Sequence, residues 1–198
     1  MQVRRLFHWL AFRKRNSFTR ELTNLLGYHP YSIDLYETAL THRSLGDQTD
    51  QNNERLEYLG DAILSALVAD YLFKRYPYKG EGYLTEMRSK MVNRQQLNHI
   101  ALLMGLKKIT RYNKSDASLR LSHIFGNTLE ALIGAVYLDA GFETAEKLVH
   151  GLFQNVEVNS EMLAASKDPK TELQEWLQDQ GTWHSSTRTS TGVFRDLP

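Results

Sequence analysis

Asn52 to Leu64 reads "NNERLEYLGDAIL", and the stretch sets two demands against each other. Leu56, Leu59, Ile63 and Leu64 recur at the spacing of an apolar helix face, while Glu54, Glu57 and Asp61 gather on another face of the same helix. Like charges at that spacing destabilise a helix by roughly 0.2–0.5 kcal/mol per pair. Gly60 in mid-helix costs about 1 kcal/mol more, relative to alanine. Three acids and a glycine held together need a reason that lies outside the helix itself.

Helical periodicity continues from Leu56 to Phe73, and Pro77 ends it. Before the quoted stretch, Pro30 precedes a helical pattern over Asp34–Thr41. After it, "YKGEGYL" makes a glycine-rich turn. Leu84–Leu106 then forms one or two helices with Met87, Met91, Leu97, Ile100 and Leu103 inward. Residues 107–120 lack apolar periodicity and read as a loop. "SHIFGNTLEALIGAVYLDAG" is a second strong helix closed by Gly141, followed by a helix over about Glu143–Gln154. Nothing before about residue 160 alternates as a strand, so an all-α unit is expected.

The plain reading of Glu54, Glu57 and Asp61 is a solvated face. Two features weigh against it. Tyr58, Leu59, Ala62 and Ile63 make much of the helix circumference look buried, and Glu130 lies among Phe125, Leu129, Leu132, Ile133 and Val136 on the second helix. An unpaired buried carboxylate is expensive, and no Lys or Arg falls at a suitable offset on that helix. A divalent cation gathering Glu57, Asp61 and Glu130 satisfies both helices. Oxygen ligands alone indicate Mg²⁺ or Mn²⁺, with Ca²⁺ less suited for want of a calcium-binding loop. Neither helix offers the Glu-x-x-His of a di-iron bundle, and no Gly-x-Ser-x-Gly elbow occurs. Carboxylate-held Mg²⁺ belongs to phosphate chemistry, in which the metal acidifies water and neutralises charge on the transferring group. The residues alone carry the reading no further.

Composition sets outer bounds. The chain has 198 residues, 41% hydrophobic and 24% charged, as in ordinary globular proteins. It has no cysteine, which excludes disulfides and zinc-thiolate sites, and its net charge of +1 announces no global polyanion field. Arg4, Arg5, Arg13, Lys14, Arg15 and Arg20 precede the first acid, Glu21, so residues 1–19 form a basic segment, read as a short basic amphipathic helix rather than an organellar transit peptide. The apolar run Leu6–Phe12 is about a third of a membrane span, and no membrane association is expected.

"NNERLEYLGDAIL" closely resembles the signature of the ribonuclease III family, Asn-Glu-Arg-Leu-Glu-Phe-Leu-Gly-Asp-Ala-Val-Leu, with Tyr58 and Ile63 as conservative departures. "ALTHRS" at 39–44, "GEGYLTEMRSKMVNRQQL" and "LEALIGAVYLDAG" resemble further family segments in order and spacing, covering about residues 20–157. The resemblance implies an all-α endonuclease domain that homodimerises through the signature helix and accommodates double-stranded RNA. It implies staggered cuts with 5′-phosphate and 3′-hydroxyl ends, in rRNA and mRNA processing in the cytoplasm. By the same resemblance Glu57, Asp61 and Glu130 match metal ligands, with Asp61 and Glu130 central to catalysis. Glu54 matches an accessory acid, and Arg88 and Asn93 brace the acidic helices. Mg²⁺ is the implied cofactor, replaceable by Mn²⁺, with no small-molecule cofactor. Gly60 and Gly134 would let a helix or the partner subunit approach closely.

One departure stands out. Where the family usually has Asp, this chain has Asn127, whose amide oxygen still ligates a hard cation but with one negative charge fewer. Weaker Mg²⁺ binding is expected; the alternative is a non-catalytic RNA-binding or ribosome-associated protein on the same fold. Lys107, Lys108, Arg111, Lys114 and Arg120 are candidate RNA contacts. Residues 158–167 read as a linker. Residues 168–198, beginning "DPKTELQEWLQ", resemble the first helix of a double-stranded-RNA-binding domain whose strands are not recognisable.

Overall fold

Ile124–Ala140 is apolar on nearly every side, which makes it a central helix rather than a surface one. The computed structural model describes residues 17–46, 51–120 and 123–157. The helices are α1 (17–26), α2 (Ile33–Ala39), α3 (Glu54–Arg75), α4 (Glu81–Met91), α5 (Arg94–Leu103), α6 (Leu106–Ile109), α7 (Ile124–Ala140) and α8 (Phe142–Glu157). Short 3₁₀ turns lie at Arg43–Leu45 and Ala117–Arg120. Around α7 pack α2, α3, α5, α6 and α8. Among the described residues there is no strand, and Thr41 and Arg111 form an isolated bridge. The chain divides into Met1–Glu157 and Val158–Pro198; the second unit, with its expected linker and RNA-binding segment, lies outside the described residues, as do residues 1–16.

Leu64, Leu67, Val68 and Leu72 of α3 join Ala131, Leu132, Ile133, Ala135 and Val136 of α7 in one buried core. Each large aliphatic side chain fully buried there contributes about 1.5–3 kcal/mol. The α3–α7 crossing rests on glycine from both sides. A Cβ at Gly60 would lie 1.7 Å from the Glu130 carbonyl oxygen, and one at Gly134 would lie 2.5 Å from that of Leu56. Backbone therefore meets backbone at the level of the acids, and the neighbour that the mid-helix glycines admit is α7.

Asp139, near the end of α7, fixes the entry to α2. Its carboxylate accepts from the backbone N–H of Tyr31 at 3.0 Å and of Ser32 at 2.8 Å, and from the Tyr36 hydroxyl at 3.0 Å. The Tyr28 hydroxyl hydrogen-bonds that of Tyr36, so Tyr28 has a part in the fold that its sequence position does not signal.

Four local expectations are corrected. The sequence reading places only a short basic amphipathic helix within the first twenty residues; α1 runs on to residue 26, and Phe18, Leu22, Leu25 and Leu26 pack on or in the core at helical spacing. Leu103 is exposed, because the buried stripe Leu97, Ile100 and Ala101 continues to Met104 one residue later. Residues 107–120 are not loop throughout: α6 and a 3₁₀ turn occupy part of them, and Leu106 is buried. Tyr58 is 82% exposed and Ala62 is exposed too, because α7 covers only one side of α3.

Candidate active site

The N-terminal half of α3 and the first turns of α7 form facing walls of a cleft of about 1080 Å³. Glu54, Glu57 and Asp61 line it from α3, and Asn127 and Glu130 line it from α7. His42 and Arg43, Arg94, and Asp116 and Ser118 close it from the first 3₁₀ turn, α5 and the second 3₁₀ turn. The cleft is a consequence of the glycine crossing, since the Gly60 backbone against Glu130 brings the two acid-bearing turns together.

Its electrostatics follow from burial first and from crowding of like charge second. Burial pushes the Glu130 carboxyl up to about 7, with Asp61 and then Glu57 raising it further and Arg94 opposing. Glu57 is also raised by burial, while a hydrogen bond from the Asn127 side chain pulls it back. Glu54 is committed differently: Arg43 Nη1 lies 2.9 Å from its Oε1. His42 is buried and its Nδ1 accepts from the Ser44 N–H at 3.1 Å; burial lowers its pKa. Three carboxylates and an amide oxygen around one cleft, with Glu130 reluctant to ionise in their company, form a donor set suited to a hard divalent cation.

Other expected site residues fall elsewhere. Asn93 caps α5, accepting from the Gln96 N–H at 2.9 Å and donating to the Lys90 carbonyl at 2.8 Å. It acts on α5 rather than on the acids themselves. Arg88 is exposed on α4 and is not part of the cleft lining. Lys107, Lys108 and Lys114 are exposed. Arg111 pairs with Glu37 at 3.5 Å and lies over the Phe18 ring, and the side chain of Arg120 is outside the described set. Arg94, Arg43 and Asp116 are cleft residues that sequence reasoning missed; Arg94 directly follows Asn93 in "VNRQQL", the available signal.

Among the described residues, the trio of His and acid ligand atoms lying within 4.8 Å of one another is not in the cleft. It is Asp70, Glu146 and His150, at the far end of α3 and on α8. The Lys74 ammonium sits 2.6 Å from Asp70 there, and the Tyr71 ring packs 5.4 Å from that of His150.

The chain belongs to the ribonuclease III family: the family model described as ribonuclease-III-like matches residues 32–156. It is 42% identical over 175 residues to ribonuclease 3 of Phocaeicola vulgatus, covering 85% of this chain and 56% of that one. With ribonuclease 3 of Albidiferax ferrireducens it shares 48% over 147 residues, covering 73% and 63% respectively. The chain thus spans less than two thirds of these curated relatives. A solved nuclease domain of ribonuclease III from Campylobacter jejuni, described for flexibility in a region involved in dimer formation, matches with a TM-score of 0.63 at 34% identity, over 68% of this chain and 95% of that one. Among the described residues no helix is long and apolar enough to cross a membrane.

Proposed function

We propose that this chain is a divalent-metal-dependent endoribonuclease that hydrolyses phosphodiesters of double-stranded RNA. The observation that carries the reading is the convergence of Glu57, Asp61, Asn127 and Glu130 on one cleft of a ribonuclease III fold. Those four side chains would hold Mg²⁺ or Mn²⁺ through oxygen. Such a cation, when bound, acidifies water and neutralises charge on the phosphate under attack. The remaining work falls to the protein. The glycine crossing brings the donor walls together, and Arg43 holds Glu54 in an ion pair at 2.9 Å. Recognition is by shape and phosphate, since the A-form major groove is too narrow to read. The products would be staggered ends with 5′-phosphate and 3′-hydroxyl, in cytoplasmic processing of rRNA and mRNA.

A second copy of the chain is the proposed partner. Tyr58 and Leu138 are 82% and 55% exposed and line a mostly apolar groove with Leu35, Leu56 and Leu59, beside the signature acids. Pairing there would set two clefts along one duplex. Lys107, Lys108 and Lys114 remain proposed phosphate contacts, and a contribution of residues 168–198 to RNA binding remains a proposal.

Asn127 supports a second reading, an RNA-binding protein without cleavage, because the amide removes one charge from the donor set. A labelled duplex incubated with Mg²⁺, Mn²⁺ or EDTA, alongside Glu130→Gln, decides between them. Removing a direct ligand costs more than the roughly 10–100-fold typical of outer-shell partners, so Glu130→Gln should lose cleavage nearly completely. Binding without cuts in either metal, from folded protein, selects the RNA-binding reading.

A further inference from the structure

We propose that Arg94 grips a phosphate of the RNA backbone at the mouth of the acidic cleft, a role that rests on the RNA reading above. Two arginines line the cleft, and they differ in commitment. Arg43 is held by Glu54 at 2.9 Å. Arg94 is exposed and, among the described residues, makes no ion pair and no side-chain hydrogen bond, although its charge is felt by both Glu57 and Glu130.

Its position is unfavourable for the helix that carries it. Arg94 is the first residue of α5, where a cation opposes the helix dipole. The Asn93 cap and the buried stripe Leu97, Ile100 and Ala101 hold α5 in place without it. Its backbone is nonetheless fixed closely: a Cβ on Gly126 of α7 would meet the Asn98 nitrogen at 3.2 Å and the Arg94 carbonyl at 3.6 Å. A guanidinium on a rigid base, near the anionic donors but bonded to none, retains its full fork of donors for an incoming phosphate. It also offsets the repulsion that the cleft carboxylates exert on an approaching polyanion.

The test uses wild type, Arg94→Lys, Arg94→Gln and Arg94→Glu with a labelled RNA duplex of about 30 base pairs, long enough to exceed a single recognition footprint. Affinity is read by fluorescence anisotropy in EDTA across a salt series, KM and kcat in Mg²⁺, and Mn²⁺ binding to RNA-free protein by electron paramagnetic resonance. Arg94→Gln should weaken duplex binding about tenfold and flatten the slope of log affinity against log salt by about 1. KM should rise more than kcat falls, and Arg94→Glu should exceed Arg94→Gln in every respect. Arg94→Lys should keep the salt slope while losing part of the affinity, because a point charge replaces the fork. Mn²⁺ binding should stay level or tighten, since a neighbouring cation has gone. Wild-type affinity and slope in Arg94→Gln overturn the proposal. Weakened Mn²⁺ binding overturns it too, since Arg94 would then brace the acids instead. A wild type that binds no duplex overturns the proposed function along with it, an outcome distinct from unchanged variants beside a tight-binding wild type.

Discussion

Helix α3 carries acids toward both ends, and the two ends treat them differently. Toward its C-terminus, Asp70 meets Glu146 and His150 with ligand atoms within 4.8 Å, and Lys74 lies 2.6 Å from Asp70. Toward its N-terminus, Glu57 and Asp61 face Glu130 across the cleft, and among the described residues no cation forms an ion pair with any of the three. The tighter cluster has a cation of its own at Asp70, the i,i+4 lysine of the same helix, while His150 Nε2 is buried without a hydrogen-bond partner among the described residues. The looser cluster lacks such a partner, and there burial first, then Asp61 and Glu57, push the Glu130 carboxyl up to about 7. The two ends thus differ in kind: one brings ligand atoms close beside a lysine, the other leaves its acids without an ion pair among the described residues.

Four measurements break or sharpen that contrast, and the largest effect concerns how the cleft is built. Gly60→Ala forces a Cβ to 1.7 Å from the Glu130 carbonyl oxygen, so the helices must part. Overpacking of that kind should cost roughly 3 kcal/mol in urea unfolding, at the upper end of the usual range. Wild-type stability in this variant would remove the glycine account of the cleft.

Asn127→Asp restores a charge to the donor set and should lower the Mg²⁺ needed for half-maximal cleavage by about three- to tenfold. An unchanged requirement would mean that the amide already serves as well as a carboxylate. A smaller effect is expected from pH in metal-free protein. Glu130 holds its proton in the fold up to about pH 7, whereas an ordinary glutamate releases it near 4.5. The native state thus carries the extra proton between those values, and the stability present below about pH 4.5 is lost as pH climbs to about 7. Glu130 is only half-buried, and solvent screening trims the linkage to about 1 kcal/mol. Urea titrations in EDTA should show wild type falling relative to Glu130→Gln across that window; parallel curves would mean that Glu130 is not strained. The smallest effect belongs to the other end of α3. Lys74→Met should leave duplex cleavage at its wild-type rate, and a changed rate would show that the two regions are coupled.

The candidate site was legible in the sequence to the extent that it is local. Glu57, Gly60 and Asp61 share turns of one helix, and Glu130 and Gly134 share turns of another, so period 3.6 alone groups each set. Arg94 carries no such local signal, because it reaches the cleft only through the packing of α5 on α7 at Gly126. Arg111 looked like a free basic residue, yet Glu37 and Phe18 occupy it from distant parts of the chain. The apolar spacing of Phe18, Leu22, Leu25 and Leu26 is local too, but the basic run beside it dominates the pattern and hides how far α1 extends.

The sequence by itself determined the helical class, the two acid-bearing helices, the glycines that call for a close neighbour, and the family, because all of these reside in short-range spacing. Only the tertiary structure decided that the neighbour at Gly60 is α7, which acids remain without a cation, and which arginine is free. Those depend on contacts between residues far apart in the chain, and burial, which sets the balance of charge, exists only once the helices have packed.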